Sequence, residues 1–308
     1  MKEVLVIYYS QSGQLLDIVQ NLVSTFDPKR INITYHRIRP EKDYGFPWKP
    51  AEFYDAFPES FLQTPCALHP PEAEIMGKKY DLVVLGYQVW FLTPSIPINS
   101  FLKSDHAKKL LNDTPVVTVI ACRNMWLMAQ EKMKRLLLDC NARLVGNIAL
   151  VDRHINHISV ITIVHWMMGG KKTRYLGIFP KPGVSDDDIR GCARFGTPIQ
   201  EALLNANYQD LQDNLLILNA VRVKPLLIQT DKRGNILFSK WANLIIRKGG
   251  AGSPKRKKLL VWFKYYLLFA IWVIAPIVFI VFLATYIPLY NKIKREKAYF
   301  SSVGLKNS

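Results

Sequence analysis

Val4-Leu5-Val6-Ile7-Tyr8-Tyr9-Ser10-Gln11-Ser12-Gly13-Gln14 is the stretch on which the reading of this 308-residue chain turns. A short continuous apolar run with β-branched residues, closed by small polar residues and a glycine, predicts a strand buried on both faces, the central strand of a parallel sheet. Leu15, Leu16, Ile18, Val19, Leu22 and Val23 then recur at helical spacing, so Ser10 to Gln14 falls where a strand's C-terminal end meets a helix N-terminus. Free backbone N–H groups and the positive end of the helix dipole favour an anion there. Ser10 and Ser12 can donate hydroxyl hydrogen bonds, and Gly13 lets the backbone come close. Strand, polar turn and helix also open many α/β domains that hold no ligand, so the turn alone leaves phosphate binding an open question.

Working outward, Ile31 to Arg39, Asp81 to Gly86, Val116 to Cys122 and Arg143 to Asp152 read as four further strands separated by helical stretches. That alternation predicts an α/β fold, a doubly wound five-stranded parallel sheet whose ligands bind beyond the strand C-terminal ends. The loop after the third strand, Tyr87-Gln88-Val89-Trp90-Phe91, and the one after Cys122, Arg123-Asn124-Met125-Trp126, converge with the first turn. Aromatic residues in two loops beside a phosphate turn point to a flat conjugated ligand held by stacking, against the alternative that they pack over the sheet. Residues 41–79 set Tyr44, Phe46, Trp48, Phe53, Phe57 and Phe61 among six prolines, too broken for a long element and too aromatic for disorder. An ordered lid over a ligand is expected, with plain covering of the sheet edge as the alternative.

The net charge of +17 is unevenly spread. From Lys240 onward there are 13 Lys and Arg against one acid, Glu296, leaving 28 basic and 23 acidic residues before it. The excess flanks Tyr265 to Tyr290, which holds no charged residue and exceeds the ~20 apolar residues that cross a bilayer. Basic flanks then face anionic headgroups, and nucleic acid is not expected as a partner. Cys66, Cys122, Cys140 and Cys192 show no paired spacing, which predicts reduced thiols in a cytoplasmic setting. His154, His157 and His165 have only Asp152 as a further ligand nearby, so no metal site is expected. Ser185 followed by three aspartates caps a helix running to about Leu204. Residues 206–250 are expected to be amphipathic and membrane-proximal, and 251–308 to hold a basic linker, a membrane segment at about 265–290 and a basic tail.

Ser10-Gln11-Ser12-Gly13, Gly86-Tyr87-Gln88-Val89-Trp90 and Cys122-Arg123-Asn124-Met125-Trp126 together resemble the three flavin-contacting loops of flavodoxin-like proteins. Gly183 to Leu203 is similar to the closing helix of the NAD(P)H-dependent FMN reductases, and the likeness covers about residues 1–205. It implies FMN held by these loops, with Gln14 and Phe91 beside them; Leu15 stands where the flavodoxin phosphate loop ends in threonine. With its aromatic insert and basic membrane tail, the whole chain more closely resembles the dialkylresorcinol condensing enzymes. These accompany a ketosynthase in pathways to dialkylresorcinols and flexirubin-type pigment lipids.

That resemblance implies an aromatase, a flavin-dependent oxidoreductase turning a lipid-like alkylated cyclohexanedione into the resorcinol, with the ketosynthase as a partner. Tyr87, His154 and His157, at or near strand ends, are the acid/base candidates. Cofactor supply and a small charge bias across the apolar run place the catalytic domain on the cytoplasmic side of the inner membrane, with a single pass expected over a re-entrant hairpin. Two other readings stand beside this one. One is a membrane-tethered NAD(P)H/quinone reductase or electron carrier; the other is a flavodoxin fold without flavin, serving as an assembly partner.

Overall fold

The structure, a computed structural model, describes residues 1–305; the last three residues of the expected basic tail lie outside the described residues. Five parallel strands form the sheet: β1 (Lys2–Tyr8), β2 (Ile31–Arg37), β3 (Leu82–Trp90), β5 (Pro115–Cys122) and β6 (Arg143–Val151), in the order β2-β1-β3-β5-β6. The two-residue β4 (Thr93–Pro94) pairs back on β3 in antiparallel fashion. The first strand is therefore interior but not central; β3 takes the centre, because the chain adds β2 on one side of β1 and everything later on the other. This reversal leaves a crevice beyond the C-terminal ends of β1 and β3, where open α/β sheets place their ligands.

Continuous apolar runs make these strands because each strand is covered on both faces. Val4 and Val6 point into one cluster, with the helix Gln14–Val23 and Ile189, Phe195 and Ile199. Leu5 and Ile7 point into the other, with the helices Ile96–Leu102 and Leu127–Asp139. At Gly86 a Cβ would come within 2.9 Å of Val19, so glycine there lets the first helix seat against the central strand.

Two expected boundaries move. β3 continues four residues past Gly86, pairing Tyr87 and Gln88 with Ile120 and Ala121 of β5, so the stretch read as a loop is mostly strand. The turn proper is Phe91-Leu92, both in the left-handed region. Packing also does not stop at residue 205: Leu211 and Leu215 of the helix Leu211–Ile217 lie in the sheet's core, and Gln212 Oε1 accepts from the Asn147 N–H at 2.7 Å.

The insert is ordered into short helices, Pro50–Asp55, Phe57–Phe61 and Ala73–Met76. After Lys224 the chain is helical. The helix Pro225–Ile246 places Ile245 and Ala242 against Phe57 and Phe61 of the insert while Ile236, Leu237 and Leu244 stay exposed, so the helix expected to lie on a membrane surface is also an internal packing element. Pro254–Thr285 follows as one helix long and apolar enough to cross a membrane, with a π-helical turn at Ala270–Ile274. A last helix, Tyr290–Ser301, turns back and buries Phe300 in the same core as Leu5 and Ile7.

Candidate functional site

At the end of β1 the chain leaves the sheet through Ser10 to Gly13 and enters the helix Gln14–Val23 with no side-chain cap, so the helix's first N–H groups have no side chain to meet them. Gly13 sits at φ +86° with open space where a Cβ would be, a conformation favouring glycine. Ser10 is buried and its Oγ has no partner. Gln88 Oε1 near the end of β3 and Asn124 Oδ1 in the loop after β5 are likewise buried without a partner. Each of the three segments that the sequence brought together thus ends in a buried polar atom free to meet a ligand, an arrangement that fits a bound flavin nucleotide. A phosphate suits the uncapped helix start.

Other residues of these segments are already engaged. Gln11 Nε2 donates to the Tyr44 carbonyl at 3.1 Å and lies 3.3 Å from that of Gly45, tying the turn to the insert. Gln14 forms a reciprocal pair with the Val184 backbone, 3.2 Å in each direction. Ser12 is exposed, and Leu15 is packed in the core under Gly86, leaving no hydroxyl at that position. Cys122 is half-buried, and burial of its thiol pushes its pKa well up from the ordinary range. Arg123 donates to Asn156 Oδ1 at 2.7 Å, which also accepts from Asn124 Nδ2 at 3.0 Å, so one asparagine orients the loop. Burial lowers Arg123 to about 10, which still leaves it a cation at neutral pH.

An aromatic cover closes over the site. The Trp90 ring meets Tyr9, Tyr44 and Trp48 edge-on, with centroids 6.0, 5.1 and 5.3 Å away. Contacts continue from Trp48 to Phe53, Phe91 and Phe57, and Phe57 stacks on Phe263 of the apolar helix at 3.8 Å and 8°. The insert is pinned at its start by Trp48 N–H donating to the Met167 carbonyl at 2.8 Å. Edge-to-face contacts of this kind favour a rigid cover. Trp126 is no part of it: the side chain expected to stack on a ligand is 1% exposed and sits in the sheet's core. Met125 packs towards Gly234 of the helix Pro225–Ile246.

The acid/base candidates do not come together. Tyr87 is fully buried and donates to Gln130 Oε1 at 2.6 Å, and burial raises its hydroxyl far above the usual range, so it belongs to the core and not to the site. His157 Nε2 lies 3.1 Å from the Ile271 carbonyl and its ring packs on Trp272, so it fastens the apolar helix. His154 is exposed and lines a surface cavity of about 350 Å³ with Lys172, Lys181 and Asp186.

Sequence reasoning missed Asp231. Its Oδ2 accepts from the N–H groups of Leu127 and Met128 at 2.8 and 3.4 Å, capping the helix Leu127–Asp139 from another helix. Burial raises its carboxyl to about 7. A lone aspartate in an apolar helix face was the available signal, but its partners lie over 100 residues away.

Strand order and crevice define a flavodoxin-like α/β protein. Among solved structures, a flavoprotein from Lactobacillus acidophilus NCFM in complex with FMN is similar over 48% of this chain and 92% of its own, at 16% identity and a TM-score of 0.39. RosB with a bound 8-demethyl-8-formylriboflavin-5'-phosphate intermediate is similar over 73% of this chain and 92% of its own, at 12% identity and a TM-score of 0.35. No family model matches the sequence, and no curated protein matches it.

Proposed function

We propose that this chain holds FMN in the crevice beyond β1 and β3 and oxidises an alkylated cyclohexanedione to a dialkylresorcinol, at the cytoplasmic face of the inner membrane. The observation that carries the reading is the trio of buried unpartnered atoms, Ser10 Oγ, Gln88 Oε1 and Asn124 Oδ1, beneath rings that run without a break to an apolar helix. The resemblance to dialkylresorcinol condensing enzymes supplies the substrate class, and the aromatic path supports it, since a twin-tailed dione partitions into lipid. A ketosynthase that builds the dione is the partner this implies.

The uncapped helix start and Ser10 bind the phosphate, with Gly13 allowing close backbone approach. Asn156 fixes Arg123 and Asn124 at the far side of the crevice. Trp90, Trp48 and Tyr44 exclude water from it. Aromatisation removes one hydride and one proton from the dione ring; FMN, when bound, supplies the hydride acceptor. The proton leaves a carbon beside two carbonyls, so a modest base is enough. Tyr87 and His157 are excluded from that role by their contacts.

The test is spectroscopic. Purified protein is expected to be yellow, and anaerobic mixing with a 2,5-dialkylcyclohexane-1,3-dione to bleach the flavin band once while forming one equivalent of resorcinol. A colourless protein that takes up no FMN would return it to the flavin-less assembly partner, for which Leu15 in the core speaks. Rapid NAD(P)H oxidation with simple quinones and an unchanged spectrum with the dione would make it a reductase.

A further inference from the structure

The apolar helix touches the rest of the protein at a few separate points, while most of its surface stays exposed. At its start Arg256 is completely buried, donating to Asp55 and Glu59 of the insert at 2.7 and 2.6 Å. Two turns on, Phe263 stacks on Phe57. Midway, the Ile271 carbonyl lies in the π-helical turn and meets His157 Nε2 at 3.1 Å. Near its end Phe282 is buried.

The chain beyond it returns to the same body. Tyr299 donates to Glu131, and Lys134 donates to the Gly304 carbonyl at 2.8 Å. Gln212 Nε2 donates to the Ser301 carbonyl at 2.9 Å, and Lys232 pairs with Glu296 at 2.6 Å. Phe300 and Ile293 are buried.

A helix of 32 residues is about 48 Å long, more than the ~30 Å of bilayer hydrocarbon. Were it to cross, the residues after it would emerge on the far side, and every contact between Ile293 and Gly304 and the body would be broken. The His157 contact would lie in mid-membrane. Between these points the helix is exposed: Trp262, Phe269 and Ile280 are 60, 52 and 65% exposed, as is Ile287 just past its end. Lys255, Lys257, Lys258, Lys292, Lys294 and Arg295 at its two ends are exposed as well.

We propose that this helix is a monotopic anchor: it lies in the plane of one leaflet, apolar face in the acyl region, with both basic ends on the same side meeting anionic headgroups. An apolar face framed by cations is what such a surface takes. The single pass expected from the length of the uncharged run is thereby replaced, because length permits a crossing but the docked tail forbids it. The aromatic insert, stacked on this helix through Phe57, then sits at the lipid surface.

Two measurements on the full chain decide it. Lys255→Cys and Lys294→Cys, each in cell-derived membranes, are treated with an impermeant maleimide from either face and read by peptide mass, which separates them from the native cysteines. Both are expected to label from the same face; labelling from opposite faces overturns the proposal. Spin labels at Val261→Cys and Ile280→Cys in 3:1 phosphatidylethanolamine/phosphatidylglycerol vesicles are expected at the same depth within a few Å. Depths differing by about 29 Å, the rise between those positions in a spanning helix, would overturn it. So would protein that leaves these vesicles and buries both labels in a dimer.

Discussion

The β-strands bury their valines, leucines and isoleucines in two clusters where each side chain has many neighbours, whereas the helices after Lys224 add to their apolar contacts a set of buried polar ties, Asp231, Arg256, Glu131 and His157 among them. Loss of one apolar contact in the sheet is shared among neighbours. Loss of one polar partner leaves another buried group unsatisfied, which costs more than the contact itself. The two halves therefore respond to substitution in opposite ways.

The largest expected effect lies at the rim of the sheet, where backbone geometry and not packing matters. Gly13→Val forces a β-branched residue to φ +86° and blocks the close approach of phosphate, so the purified variant should hold no FMN by absorbance; a yellow variant would detach the turn from the cofactor. Next comes Arg256→Ala, expected to cost about 3 kcal/mol or more in urea melts of detergent-solubilised protein, since Asp55 and Glu59 lose their partner. Ile7→Val, in the middle of the sheet, should cost only about 1 kcal/mol in the same assay. If the two came out equal, the contrast between the halves would fail.

Asp231 sharpens it through pH. Its folded carboxyl titrates at about 7, above the ~4 of an unfolded aspartate, so its contribution is most favourable below pH 4 and is lost as pH rises to about 7. Asp231→Asn keeps an oxygen for the Leu127 N–H without the charge. Tm profiles of the two proteins should diverge over that window, the wild type falling relative to the variant; parallel profiles would sink the assignment. Tyr299→Phe should cost about as little as Ile7→Val in the same urea melts, about 1 kcal/mol, because Glu131 keeps its ion pair with Lys134.

What could be read in advance follows the same division. Val4 to Tyr9 and Val116 to Cys122 announce themselves because a strand covered on both faces needs an unbroken apolar run. The turn from β1 into the first helix was legible because its determinants are five consecutive residues. β3 was cut short because Gln88 interrupts the apolar run, although its backbone still pairs with β5. Trp126 and Tyr87 were read as facing a ligand because a sequence does not say on which side of a strand end an aromatic ring turns. Arg256 was indistinguishable from Lys255 and Lys257 beside it: only its carboxylate partners, some 200 residues earlier, make it a structural cation.

Phe300 fills the same cluster as Leu5 and Ile7, so that strand waits for a residue made long after it. Chains fold N-terminal parts first as they emerge. Here the sheet can form early, but its seat for the tail stays open, greasy and accessible until residue 300 is out of the ribosome. Packing of Phe300 thus follows synthesis of the whole apolar helix, which is exposed in the meantime. A bilayer surface placed near the nascent chain would shield that helix during the wait.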